Sequence, residues 1–198
     1  MFGAAFVALS GGVALGWLRE ADLWTLQTAQ KHASGFLDTA SGIFSLPGST
    51  EVAGAALLVL LAALFLRGHR VLAGRLLVIF VATGILELVM KLYLPQTPIL
   101  GTNGENEDFA LLFVIDSPYP YPSGHMLRGV ILLGALYLLS RSRLLRAGLV
   151  LALLGLAASR IYPGVHWASD VVGGALLGIA ALLWAFGKED RGGDHDSR

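Results

Sequence analysis

The chain has 198 residues, of which 55% are hydrophobic and 14% charged, with a formal net charge of zero and a mean hydropathy of +0.68. An ordinary soluble domain carries about 25% charged residues, so this composition excludes one and reads instead as an integral membrane protein. Zero net charge gives no support for a nucleic-acid partner, and the absence of cysteine rules out disulfides and thiolate metal sites.

Apolar segments long enough to cross or nearly cross a bilayer fall at 2–18, 52–66, 71–90, 124–140, 144–159 and 168–186. The expectation is an all-α, polytopic membrane protein with six transmembrane helices. It forms one membrane-embedded domain over 1–187, followed by a disordered cytoplasmic tail over 188–198. The first segment lacks the basic leader of a signal peptide and is read as a retained helix. Between the first two spans, residues 19–49 scatter Leu23, Trp24, Phe36, Ile43 and Phe44 among polar side chains. That pattern predicts helix lying in the headgroup plane, or a plain connector. Small residues at 53–56 and Gly173, Gly174 and Gly178 suit close helix packing in lipid.

Basic residues cluster at Arg67, Arg70 and Arg75, at Arg141, Arg143 and Arg146, and at Lys188 and Arg191, which places those ends in the cytoplasm. With six spans both termini are then inside. The loops that hold Lys91, His125 and His166 all fall on the opposite, extracytoplasmic face. The loop from 101 to 121 carries Glu105, Glu107, Asp108 and Asp116 without a lysine or arginine, as an external loop does.

Near the end of the third span, Glu87 and Lys91 stand four residues apart and are spaced to pair. Such a pair either holds the lysine toward a ligand or is purely structural. At the start of the fourth span, Pro122-Ser123-Gly124-His125 joins a helix cap able to hold an anion, a glycine that admits close approach, and an imidazole able to donate a proton. An ordinary turn with a surface histidine has the same composition. Arg128, three residues on, lies on the face of His125. It points into a site, pairs with Glu87, or returns to the interface.

Between the last two spans, Ser159-Arg160-Ile161-Tyr162-Pro163-Gly164-Val165-His166-Trp167-Ala168-Ser169-Asp170 places an arginine, a histidine and an aspartate at the edges of apolar runs. Ionisable groups there mark a functional site by default. Pro163 and Gly164 break the helix. If a helix restarts near Val165, His166 and Asp170 share one face, and the carboxylate fixes the imidazole tautomer and leaves the other nitrogen nucleophilic. Arg160 offers a planar fork for phosphate oxygens. The competing reading is a chance histidine and aspartate at a membrane surface. His32, His69 and His195 lack partners at metal-ligand spacing and are read as surface residues.

Lys91, P-S-G-H at 122–125 and S-R-x5-H-x3-D at 159–170 together resemble the type 2 phosphatidic acid phosphatase family of membrane lipid phosphatases. The resemblance implies that His166 is a nucleophile forming a phosphohistidine, that Asp170 orients it, and that His125 protonates the leaving group. It also implies that Lys91, Ser123, Gly124 and Arg160 bind phosphoryl oxygens, with no metal and no cofactor. The substrate implied is a lipid phosphate or pyrophosphate, and the partners are that phosphorylated lipid and membrane lipids. One part of the pattern departs: the family's first motif ends in Arg-Pro, whereas here Lys91 is followed by Thr97-Pro98, one residue early and without the arginine. Arg128 is the candidate replacement. Two other classes stay open, a lipid phosphotransferase using the same histidine and a non-catalytic lipid-phosphate binding or transport protein.

Overall fold

A computed structural model describes residues 1–32, 34–99 and 117–187. Eight α-helices run in chain order among them: α1 Phe2–Ala14, α2 Arg19–Gln30, α3 Gly35–Ser45, α4 Thr50–Leu66, α5 Arg70–Tyr93, α6 Gly124–Leu139, α7 Arg143–Ile161 and α8 Ala168–Phe186. No strand occurs among the described residues.

The helix starts are written in the sequence. Ser34, Ser49, Ser123 and Ser142 stand immediately before α3, α4, α6 and α7, and each hydroxyl accepts from the backbone N–H three residues on. The stops are equally local. α5 ends because Leu94 precedes Pro95 and is forced into an extended conformation at φ −90°, ψ 107°. α1 and α2 meet at 90°, and Gly16, at φ +72°, makes the corner.

α6 lies at the centre. It packs against α4, α5, α7, α8 and a short 3-10 turn at Leu46–Gly48, and its buried side includes His125, Leu127, Val130, Ile131 and Ala135. Its closest partner is α8, which approaches on a glycine face. A side chain at Gly174 would strike the carbonyl oxygen of Ser123, and one at Gly178 would stand 2.8 Å from Val130. Backbones approach this closely in lipid because small residues let van der Waals contact replace a hydrophobic drive that lipid does not supply. Outward-facing apolar residues such as Val78, Val81, Ile85, Leu151 and Leu154 remain exposed, as a lipid-facing surface requires.

Three helices, α5, α7 and α8, are long and apolar enough to cross a membrane, and the number rises to five if the bent pairs α1–α2 and α3–α4 each count as one span. The six spans read from the sequence are therefore reached only in part. α6 has 16 residues, about 24 Å of helix against a hydrocarbon core of about 30 Å. It falls short because Pro122 and Ser123 start it inside the bundle, where they are already buried. The segment read as interfacial is two helices, α2 and α3, joined to neighbours on both sides. α3 lies along α7, with the Phe44 ring on Gly155 and Ser41 Oγ donating to the Ser159 carbonyl at 3.1 Å. Trp24, Phe36 and Ile43 stay exposed on these helices. The acidic residues at 105–116 and the tail at 188–198, including His195, lie outside the described residues.

The glycine face is testable by contrast. Gly174→Ala places a methyl group against a backbone carbonyl and is expected to cost about 1–3 kcal/mol. Gly84→Ala, where nothing lies within 4 Å, is expected to hold or raise the melting temperature in detergent. Equal melting temperatures for the two variants would contradict the close α6–α8 contact.

Candidate active site

The alternation of helices brings four helix ends together. Lys91 lies in the last turn of α5, Ser123 caps the start of α6, Arg160 lies in the last turn of α7, and His166 stands two residues before α8. Backbone hydrogen bonds fasten these ends: Tyr119 N donates to Lys91 O at 3.3 Å, Ser123 N to Asp170 O at 3.0 Å, and His166 N to Arg160 O at 3.1 Å. The last bond closes a tight turn in which Gly164 adopts φ +77°, a conformation that any other residue would strain to reach. Ser123, His125, Arg160, His166 and Asp170 are all buried.

His166 and Asp170 form the pair expected from their spacing, though not in the way expected. α8 restarts at Ala168 rather than near Val165, because the turn held by Gly164 runs through Trp167 first. His166 thus sits outside the helix, and its Nδ1 reaches Asp170 Oδ2 at 3.2 Å across the helix start. An ionised carboxylate only accepts, so Nδ1 carries the proton and Nε2 keeps its lone pair. Burial pushes the imidazole pKa below its usual value, the neighbouring Asp170 carboxylate offsets part of that, and Arg160 and Lys91 lower it further. The ring is therefore neutral at neutral pH.

Asp170 is fully buried. Its Oδ2 also accepts from Trp167 N at 2.9 Å, and its Oδ1 from Gln96 Nε2 at 2.7 Å. Beside it, Asp22 from α2 accepts from Ser169 N at 2.8 Å and Ser169 Oγ at 2.7 Å, capping α8 from another helix. Trp167 is fixed in turn by its indole N–H, which donates to Thr97 O at 2.9 Å. Asp22, Gln96, Trp167 and Ser169 had no sequence signal. Each is an ordinary polar or aromatic residue whose partner lies far away along the chain.

On the other side, Glu87 carries two cations. Its Oε1 lies 3.2 Å from Lys91 Nζ and its Oε2 3.1 Å from Arg128 Nη1. Arg128 Nε also donates to Gly48 O at 3.1 Å. Of the three orientations open to Arg128, the structure shows the pair with Glu87. Gly124 is a glycine here because a side chain would collide with the Glu87 carboxylate, a packing reason beside the close approach expected. Thr97, in the place of the motif's arginine, contributes its carbonyl to Trp167.

His125, on the first turn of α6, lies within electrostatic reach of Arg160, Arg128, Lys91 and His166. Ser123 Oγ accepts from Met126 N at 3.5 Å as the cap of α6, which leaves its own proton for an acceptor. Two helix N-termini, three cations and two imidazoles therefore share one buried place, a setting built to receive an anion. No cluster of three histidine, aspartate or glutamate side chains suited to a metal ion occurs among the described residues. His32 and His69 lie on the surface, away from this cluster.

Removing the shared carboxylate should expose the repulsion that it quenches. Glu87→Gln is expected to cost about 2 kcal/mol of stability, below the full penalty of a deeply buried pair because Lys91 is partly exposed. In an Arg128→Leu background the same change should cost much less, and thermal melts of the four proteins measure the coupling. Additive effects would show that the three side chains act independently.

Residues 72–191 match the family model described as PAP2 superfamily. No curated protein sequence matches the chain. Among solved structures, a transmembrane PAP2-type phosphatidylglycerolphosphate phosphatase from Bacillus subtilis superposes with a TM-score of 0.77, at 19% sequence identity, over 98% of this chain and 96% of that one. At that identity the match shows a shared fold.

Proposed function

The chain belongs to the PAP2 superfamily, and from that membership we propose that it is a membrane phosphatase that hydrolyses a lipid phosphate or pyrophosphate through a phosphohistidine. The observation that carries this reading is the buried His166–Asp170 pair set among Lys91, Arg160 and the N-termini of α6 and α8. The Nε2 lone pair of His166 attacks phosphorus, the N–P bond forms, and the P–O bond to the lipid breaks. His125 gives its proton to the departing oxygen. Water then attacks the phosphohistidine, His125 takes a proton from it, and inorganic phosphate leaves with the N–P bond broken.

Charge that develops on the phosphoryl oxygens is met by groups already in place. Lys91 and Arg160 supply cations, the Ser123 hydroxyl a proton, and the backbone at Gly124 the close approach at a helix start. Arg128 acts at one remove, holding Glu87 and so Lys91. Sharing Glu87 between two cations leaves a surplus of positive charge for the substrate.

Basic residues gather at the start of α5 and around the α6–α7 junction, the end of the bundle opposite His166. By the charge rule that end is cytoplasmic, which puts the reaction on the extracytoplasmic side and both termini inside if α6 completes a sixth crossing. The partners are a phosphorylated lipid and the surrounding membrane lipids, and a phosphatidylglycerol phosphate, as the Bacillus subtilis protein's description names, is the first substrate to assay.

Phosphate release by purified protein in detergent tests the reading. His166→Ala is expected to abolish turnover and Asp170→Asn to lower it by about four orders of magnitude, the scale for losing an orienting carboxylate in a comparable triad. Undiminished release from the His166 variant would sink the covalent route. Transfer of labelled phosphate to an acceptor lipid in place of water would identify a phosphotransferase.

Chelation provides a separate check. With Lys91 and Arg160 supplying the positive charge, turnover should persist in excess EDTA, since a divalent cation placed beside them would add like charge. Loss of turnover that magnesium restores would count against this assignment.

A further inference from the structure

Asp170 carries a hydrogen bond that its role as partner of His166 does not require. Gln96 lies in the loop after α5, in the stretch where the family's first motif has its phosphate-binding arginine. Its Nε2 donates to Asp170 Oδ1 at 2.7 Å and approaches Ser169 Oγ at 3.4 Å. The amide's other end, Oε1, is buried and has no hydrogen-bond partner among the described residues. A side-chain amide left with one orphaned end is held by the other. Reversing it would set two acceptor oxygens against each other at Asp170, so the carboxylate fixes which way the amide faces.

We propose that Gln96 is a positioning residue for the reaction at His166. Its amide ties down Asp170 Oδ1, so that Oδ2 alone faces the imidazole, and Ser169 links this arrangement to Asp22 on α2. The inference rests on the phosphohistidine reading of the site and adds a residue to it. Without Gln96, Oδ1 loses its donor and the carboxylate charge is less quenched, which favours the imidazolium form of His166. A protonated Nε2 is no nucleophile, so turnover falls and its acid limb moves to higher pH. Substrate affinity is untouched, because Gln96 meets the carboxylate and not the phosphate.

Other charges face the pair and set the background. Asp22 from α2 and the Tyr121 hydroxyl from the loop before α6 act on Asp170, and Lys91 from α5, His125 from α6 and Arg160 from α7 act on His166, with Glu87 and Arg128 paired behind Lys91. These groups are common to wild type and variant, so a shift in the profile reports the lost donor.

The experiment uses the full chain in detergent with dioctanoyl phosphatidic acid as probe, measuring kcat, KM and their pH dependence. Gln96→Leu is expected to lower kcat about ten- to hundredfold, the range for a hydrogen bond to a charged group, with KM changed by less than about twofold. Its acid limb should move up by about one pH unit. Gln96→Glu carries its own control for folding. When protonated it donates as the amide does, and when ionised it repels Asp170, so one protein should be active on the acidic side and lose turnover as pH rises.

A rise in KM at unchanged kcat, or a profile identical to wild type, would overturn the inference. A second readout separates it from the phosphatase reading. The His166 resonance in 15N-histidine NMR, assigned by its loss in His166→Gln, should titrate at higher pH in Gln96→Leu whether or not phosphatidic acid is cleaved. An unmoved titration there would overturn the proposal even in an active enzyme. Wild-type turnover that survives His166→Ala would instead overturn the phosphohistidine reading while the titration still reports on Gln96.

Discussion

A fully buried carboxylate must have its oxygens met, and much of this end of the molecule is arranged around meeting those of Asp170. The two oxygens accept from a side chain of the loop after α5, from the backbone before α8 and from the His166 ring. Its main-chain carbonyl takes the N–H of Ser123, so the start of α6 is hung on the same residue. The site's geometry therefore follows from satisfying one charge. Each donor comes from a different part of the chain, and a shift in any one of them is felt at His166.

A complementary constraint acts on the cationic side. Lys91 and Arg128 would repel one another across a low-dielectric interior, and Glu87 makes their proximity tolerable. The carboxylate fills the space beside Gly124 so closely that no side chain fits there. Packing and electrostatics are thus one requirement: the glycine in the P-S-G-H stretch makes room for the ion pair.

What was legible in the sequence was chemistry written in short spacings. His166 and Asp170, Glu87 and Lys91, and the serine cap at 123 all lie within four residues of the groups they bind. The all-helical class was legible too, because unbroken apolar runs have few other solutions in lipid. Distant pairings were not. Asp22 caps Ser169 from 147 positions away, and Gln96 reaches Asp170 across 74, so nothing local distinguishes either from a solvated side chain. The span count was reached only in part for a related reason. Hydropathy cannot register the corner at Gly16, nor that α6 starts within the bundle. The restart of α8 was misplaced by three residues because apolar Val165 and Trp167 continue a helical pattern that the turn at Gly164 interrupts.

The cap that Asp22 places on α8 also has a consequence in time. The family match begins at residue 72, yet a carboxylate from well before that boundary holds the start of the helix that carries Asp170. α2 precedes α8 in the chain, so on the ribosome the Asp22 carboxylate is made well before Ser169. The Asp22–Ser169 contact is therefore withheld until α8 enters the bundle and is joined to α2.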